Sequence, residues 1–489
     1  MPDVLPGGEH VHEPALGPEA YRLDVVGGRA RITSSTARGA DHARQTLRGL
    51  ADAEGHVPDV SIVDAPALAH RGIIEGFYGE PWSDAERIAM FGFARRVKLN
   101  SYVYAPKDDP YHRERWREPY PDADLARLAR LAASAAGSGI SFVFALHPAG
   151  SMRFSDDAEH ELLAAKSRQV ATTGIRRFAL LFDDVPAALV HAADAARFGA
   201  GAAGLGTAHA EAVVRFARAA PVGVPAPLVV PTDYAGVDLT DYRRAFVRDL
   251  PRDVLTWWTG RDIVVGEVTR ADIDEAGAVF GDRLALWDNY PVNDFDRGRA
   301  FLGPLTGRTT HLAGSALRGA WANPMVECAP SAFALATFAD WAWNPVGYDP
   351  ARSARAALPL VAGADHERLA PLVRTLSSWP PSAPMDPELS ALTEVALSGG
   401  RIEPLRARLA ELAALGDMRG DTDLMRALRP WLDAAGAVGR AGLAAVRLLS
   451  GEPGVSVEAV TQALDAAAGH PAKVAVDVVR TLADALLSR

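Results

Sequence analysis

RFALLFDDVP, at residues 177–186, reads as an apolar run that stops abruptly in two carboxylates and a proline. A short continuous apolar run fits a strand buried on both faces, as in a parallel sheet, and the polar tail marks its carboxyl end. Three runs of the same shape precede it: RGIIEGFYG (71–79), NSYVYAPK (100–107) and ISFVFALHP (140–148). Four more follow: APLVVPTDY (226–234), DVLTWWTG (253–260), RLALWDNYP (283–291) and ALRGAWANP (316–324). Helical patterns lie between them, among them SDAERIAMFGFARRV at 83–97, opened by a Ser83/Glu86 capping box, and DADLARLARLAASAA at 122–136. Such alternation suits an open doubly wound sheet or a closed barrel. An open sheet concentrates its site at one switch point, whereas a barrel draws on the ends of all its strands, and here nearly every run ends in polar or aromatic residues. The pattern predicts a (β/α)8 TIM barrel over residues 67–345.

Working outward, AYRLDVVGGRARITSS at 20–35 places two β-rich runs around Gly27-Gly28, a hairpin signal. A helical pattern at 37–51 and a strand candidate, VPDVSIVDA at 57–65, complete a small α/β domain over residues 1–66. One hairpin and one helix bury little surface, so this domain reads as shortened at its edges. Beyond about residue 350 the strand signal stops. ELSALTEVAL, RIEPLRARLAELAAL, DTDLMRALRPWLDAAGAVGRAGLAAVRLL and HPAKVAVDVVRTLADALL carry helical periodicity, and SSWPPSAPMDP at 377–387 separates two helical groups. Residues 346–489 therefore read as a helical bundle.

The composition narrows the function. Across 489 residues, 51 Lys+Arg face 61 Asp+Glu, a net charge of −10 that argues against a nucleic-acid partner. Cys328 is the one cysteine, so no intrachain disulfide is expected. The uncharged stretch Leu131–Met152 is long enough to span a bilayer, but its interior AAGSGIS fits a helix end, a turn and a strand, so no membrane segment is expected. MPDVLPGGEHVHEPALG lacks the features of a secretory signal, which places the chain in the cytoplasm, or outside it if the true start lies upstream. Lysine occurs four times (Lys98, Lys107, Lys166, Lys473), which singles out Lys107 at a strand end as more than surface filler.

Asp183-Asp184 is the sharpest chemical feature. Neighbouring side chains on a strand face opposite ways, but where the strand opens into its loop both acids can turn toward one cavity. Close like charges split the pair into a proton donor and an ionised partner. The bland alternative has Asp184 capping a loop and Asp183 paired with an arginine. Sequence neighbours do not easily straddle a sugar ring, as the two carboxyls of an ordinary glycosidase must. They suit a substrate-assisted scheme, in which a 2-acetamido oxygen is the nucleophile. Metal chemistry is not expected: no paired His/Cys ligands occur at metal spacing, and His10-x-His12 reads as part of a loose N-terminus. GAGAAGLG at 199–206 follows no strand and is not a phosphate loop.

EGFYGEPWS (75–83), YAPKDDPYHRERWREPY (104–120), FALLFDDV (178–185) and WDNYPVNDFD (287–296) resemble the O-GlcNAcase family, the glycoside hydrolases of family 84 that include bacterial β-N-acetylglucosaminidases. The motifs recur in order over about 71–324, and the unit before residue 66 resembles the small domain preceding this barrel. The resemblance implies an exo-acting retaining β-N-acetylglucosaminidase working through an oxazoline intermediate, with no cofactor. It implies that Asp183 polarises the acetamido nitrogen and that Asp184 is the general acid, then base. It implies that Tyr234 bonds the acetamido oxygen, that Trp287 and Asn289 wall the acetamido pocket, and that Asp294 binds the outer hydroxyls. Gly76, Lys107 and Asn323 would hold the hydroxyl edge of the ring, with Tyr78 and Trp258 lining the pocket. The implied partner is a GlcNAc-bearing glycoconjugate or glycoprotein, with a homodimer through the helical region as a further expectation.

Several of these residues have plainer readings: Lys107 paired with Asp108 or Asp109, Trp287 as core, Gly76 as a turn. His112 reads as a loop residue, and His147 as either a substrate contact or a loop cap. Two functional readings compete with the enzyme, a catalytically silent GlcNAc-binding module and an endo-acting hyaluronidase-type glycosidase.

Overall fold

The computed structural model describes residues 8–52, 54–221 and 223–487. At the N-terminus, β1 (Glu9–His12), β2 (Tyr21–Val26), β3 (Arg29–Ser34) and β4 (Val60–Asp64) form one sheet in the order β1-β3-β2-β4. Gly27 and Gly28 both take positive φ (55° and 74°), the two-residue turn whose twist matches a hairpin. Helix Ala37–Leu50, capped by Thr36, covers one face and buries Ala40, Ala43 and Leu47 against Tyr21, Leu23 and Val25. This corrects the reading of residues 9–12 as a loose terminus. EHVH is a strand paired in parallel with β3, and His10 donates to or accepts from Ser34 Oγ at 2.9 Å. A mostly exposed four-residue strand carries no apolar run for the eye to catch. The reading of the chain start as free of a targeting signal rests partly on residues 1–7, outside the described residues.

The eight runs form a closed parallel barrel: β5 (His70–Glu75), β6 (Ser101–Tyr104), β7 (Ser141–Leu146), β8 (Arg177–Leu181), β9 (Leu228–Val230), β10 (Thr256–Trp258), β11 (Leu284–Asp288) and β12 (Gly319–Ala322), with β12 closing on β5. Period-two alternation sorts the side chains. Ile74, Val103, Val143, Leu181, Trp257, Trp287 and Trp321 fill the interior, while residues between them face the helices. Trp257 stands edge-on between Trp287 and Trp321, with ring centroids 5.6 and 5.4 Å away. Three indoles in one barrel require small neighbours: a Cβ on Gly72 would lie 2.3 Å from Trp321.

The barrel's last helix, Cys328–Trp343, is followed by helices from Pro350 onward, including the 27-residue Asp423–Leu449. These helices hold the loop that follows β11. Trp431 Nε1 and the Lys473 amide both donate to the Gly298 carbonyl, at 2.9 and 2.8 Å, and Lys473 Nζ pairs with Asp296 at 2.7 Å. Helix Val476–Leu487 buries Val478, Val479, Leu482 and Leu486 within its own bundle, so that apolar stripe is not a free dimer face. Among the described residues, no helix is long and apolar enough to cross a membrane.

Candidate active site

The carboxyl ends of the barrel strands enclose a cavity of about 280 Å³ lined by Gly76, Tyr78, Lys107, Asp183, Asp184, Tyr234, Trp287, Asn289, Asp294 and Asn323. Every residue carried over from the resemblance lies there except Trp258. Trp258 is fully buried on the outer side of β10 and donates from Nε1 to the Gly236 carbonyl at 2.7 Å. In the pair Trp257-Trp258 the strand alternation sends one ring inward and the other to the helices, and the neighbouring Thr259 lines the cavity instead.

The acid pair sits where β8 ends. Phe182 still belongs to the sheet, its amide bonded to the Val230 carbonyl at 2.9 Å. Asp184 then takes φ +54°, a left-handed backbone rare for a side-chain-bearing residue, and this turn brings both carboxylates into one cavity. Asp183 is 6% exposed and its Oδ1 has no hydrogen-bond donor within the protein. Burial alone would raise its pKa. The Lys107 ammonium 3.5 Å from Oδ2, with His147 and Arg113 behind it, outweighs burial and holds the carboxyl below its usual range. Asp184 stands nearer the mouth, accepting from Tyr78 Oη at 2.7 Å and Tyr234 Oη at 3.4 Å. Burial first, and Asp184 second, push the Tyr78 phenol up to about 12; burial and the same carboxylate raise Tyr234. Both phenols therefore stay protonated donors.

Lys107 does not pair with Asp108 or Asp109. Its Nζ lies 3.5 Å from Asp183 and 3.9 Å from Asp184, and 4.8 Å from the Tyr78 ring centre. Asp109 anchors the Lys107 loop instead, accepting from Tyr104 Oη, Tyr120 Oη and the Tyr111 amide at 2.8–2.9 Å.

The opposite wall is an amide network. Asn289 Oδ1 accepts from Trp287 Nε1 and from Asn323 Nδ2, both at 2.9 Å, and its Nδ2 donates to the Ile263 carbonyl. Asn323 Oδ1 is buried without a donor. Gly76 is a glycine because a Cβ there would meet Trp287 at 2.8 Å, so the bare backbone and the indole edge share one wall. Asp294 accepts from the Tyr78 amide at 2.8 Å, tying the β5 loop to the β11 loop. Sequence reasoning missed Thr259, Ile263, Val264, Val292 and Phe295 in the lining. Of these, Thr259 stands in a quoted strand-end tail and Val292 and Phe295 in the quoted motif WDNYPVNDFD, whereas Ile263 and Val264 stand in neither.

A barrel holding two carboxylates and an aromatic wall in one pocket at its strand ends is the kind of site that glycoside hydrolases use. Residues 71–374 match the model of the beta-N-acetylglucosaminidase family, and residues 6–65 that of glycosyl hydrolase family 20, domain 2. The chain belongs to the beta-N-acetylglucosaminidase family, the glycoside hydrolases of family 84. It is 35% identical over 291 residues to the protein O-GlcNAcase of Mus musculus, a stretch covering 58% of this chain and 31% of that one. Over 277 residues it is 35% identical to the O-GlcNAcase of Rattus norvegicus, covering 55% and 29%. The chain thus spans about a third of the length of these curated relatives. Among solved structures it resembles CpGH84B (TM-score 0.85, 27% identity, 96% of this chain and 86% of that one). It also resembles a mutant of the Thermobaculum terrenum O-GlcNAc hydrolase (TM-score 0.76, 29% identity, 86% and 94%).

Proposed function

We propose that the protein is an exo-acting, retaining β-N-acetylglucosaminidase that removes terminal β-linked GlcNAc with help from the substrate's own acetamide. The observation that carries this reading is the buried Asp183 Oδ1, an acceptor on a charged carboxylate that the protein leaves without a donor. An unpartnered buried acceptor is unfavourable unless a ligand satisfies it, and an acetamido N–H does so. One ammonium stands 3.5 and 3.9 Å from the two acids, and sequence neighbours gathered on one turn suit a substrate-assisted scheme better than a nucleophile–acid couple on opposite sides of a ring.

In the proposed reaction the acetamido oxygen attacks C1 as the glycosidic bond breaks. Asp183 accepts the N–H and stabilises the positive charge that gathers on the forming oxazoline ring. Asp184 gives its proton to the leaving oxygen, then takes one from the water that opens the ring at C1. Asp184 and its proton are restored, and the anomeric configuration is retained. Tyr234, now bonded to Asp184, would turn its hydroxyl to the acetamido oxygen, with Trp287 against the methyl group. Asp294 and Asn323 would take the outer hydroxyls, which requires a terminal sugar and speaks against an endo-acting hyaluronidase. A silent binding module has no use for an acid pair in which Asp184 takes a left-handed turn and two phenols bond it. Release of phenolate from an aryl β-GlcNAc glycoside tests the proposal, and absence of turnover by pure, folded protein overturns it.

A further inference from the structure

The mechanism uses both acids but leaves unexplained what keeps them turned into one cavity. The peptide unit between Asp183 and Asp184 is rigid, so the direction of the Asp183 carbonyl sets the φ of Asp184. A left-handed conformation at a residue with a side chain is unfavourable and persists only where the surroundings impose it. Behind the pair the ladder is complete: Phe182 donates to Val230, and its own carbonyl accepts from Thr232 Oγ1 at 2.7 Å. The next carbonyl, that of Asp183, has left the sheet. It accepts instead from His147 Nε2 at 2.8 Å. A carbonyl only accepts, so Nε2 carries the proton.

His147 is held in turn. It is 5% exposed, just beyond the end of β7, and its amide donates to the His112 carbonyl at 2.8 Å. His112 is completely buried and donates from Nε2 to the Pro106 carbonyl at 2.7 Å, on the peptide leading into Lys107. Burial pushes the His112 pKa down to about 3, which keeps this ring neutral in its Nε2–H form. Two imidazoles thus tie the loop carrying Lys107 to the turn carrying the acids.

We propose that His147 is a positioning residue, whose bond to the Asp183 carbonyl holds Asp184 in its left-handed turn and so aims the proton donor. This rests on the acid role given to Asp184 above. His147 Nε2 also lies 3.7 Å from Asp183 Oδ1, but Lys107 stays 3.5 Å from Oδ2 and Phe182 stays bonded in the sheet, so loss of the tie falls chiefly on Asp184. The test compares His147→Leu, which removes the donor, with His147→Gln, which can restore one, across β-GlcNAc glycosides of graded leaving-group pKa. General acid catalysis is worth about 10²–10⁴-fold, so His147→Leu is expected to lower kcat/KM for alkyl glycosides at least about tenfold and to leave kcat/KM for activated aryl glycosides, whose first step needs no proton, within about threefold. His147→Gln is expected to recover most of the alkyl rate. Equal losses on all leaving groups, no loss, or a Gln variant as poor as Leu overturns the proposal. If the Leu variant does not fold, His147→Ser, too short to reach the carbonyl, replaces it. A crystal structure of the donor-less variant reads the point without turnover: Asp184 away from positive φ supports it, and Asp184 unmoved overturns it. An inactive wild-type protein would instead break the proposed function, leaving the crystallographic arm to decide this inference.

Discussion

Three carboxylates stand at the same rim of the barrel and are treated in two different ways. Glu75 ends β5 and Asp288 ends β11; each meets a buried arginine in a two-pronged ion pair, Glu75 with Arg87 at 2.6 and 2.8 Å and Asp288 with Arg308 at 2.7 and 2.8 Å. All four side chains are about 1% exposed. Asp183, one step beyond β8, has a lysine at 3.5 Å and an oxygen with no donor. Both oxygens of Glu75 and of Asp288 already have a donor, whereas a carboxylate held charged with one oxygen lacking a donor is prepared for an incoming N–H. Glu75 and Asp288 face the helices with both oxygens bonded, whereas Asp183 faces the cavity with one oxygen lacking a donor.

The largest effect that could break this contrast lies at the acid pair. Asp184→Asn is expected to lower kcat/KM, which reports the first step, by about 10²–10⁴-fold on alkyl or seryl glycosides and much less on activated aryl glycosides, whereas Asp183→Asn lowers both. Initial rates on the two substrate classes check this; equal losses for both variants on both substrates would undo the division of roles. A sugar without the N-acetyl group should be nearly inert, and a trapped covalent sugar–aspartate ester would break the scheme. Next comes stability. Removing one partner of a saturated buried pair, as in Arg87→Met or Arg308→Met, is expected to destabilise by about 3–5 kcal/mol in denaturant unfolding. Asp183→Asn, which removes the charge that the Lys107 ammonium holds in place, should lower Tm, but by less than either arginine variant.

Lys107→Met sharpens the comparison through pH. In the native fold Asp183 is held below its usual range, so its charge contributes stability above the unfolded carboxyl pKa of about 3.9, lost as pH falls through the lower folded value. Without the ammonium, burial is the dominant influence and raises the folded pKa. The acid limb of the kcat/KM profile should then move to higher pH, and an unmoved limb would mean that Lys107 does not govern the Asp183 charge. The smallest effect belongs to Trp258→Phe. Its ring faces the helices, so Tm should drop slightly while KM stays within about twofold, as distant, independent sites do.

Much of this was legible in the residues. Eight apolar runs with polar tails became eight strands, because a strand buried on both faces announces itself without alternation. Lys107 stood out by the rarity of lysine. The strand at Glu9–His12 was not legible, since its pairing with β3 crosses an intervening hairpin and its side chains are mostly exposed. Trp258 was misread because two adjacent tryptophans at a strand end look alike until the register assigns a face. The left-handed turn at Asp184 was hidden for a related reason: its hydrogen-bonded support comes from His147, on a different strand end.

The clamp on the loop after β11 has a practical meaning for inhibitor work. The loop runs from Asp294, on the pocket wall, to Asp296 and Gly298, where Trp431 and Lys473 grip it from the helical bundle. A fragment trimmed after the barrel's last helix would keep every strand and both acids, yet its Asp294 wall would have lost its mould. Compounds selected against such a fragment would be fitted to a slack pocket. The screening target is the chain that retains its helices.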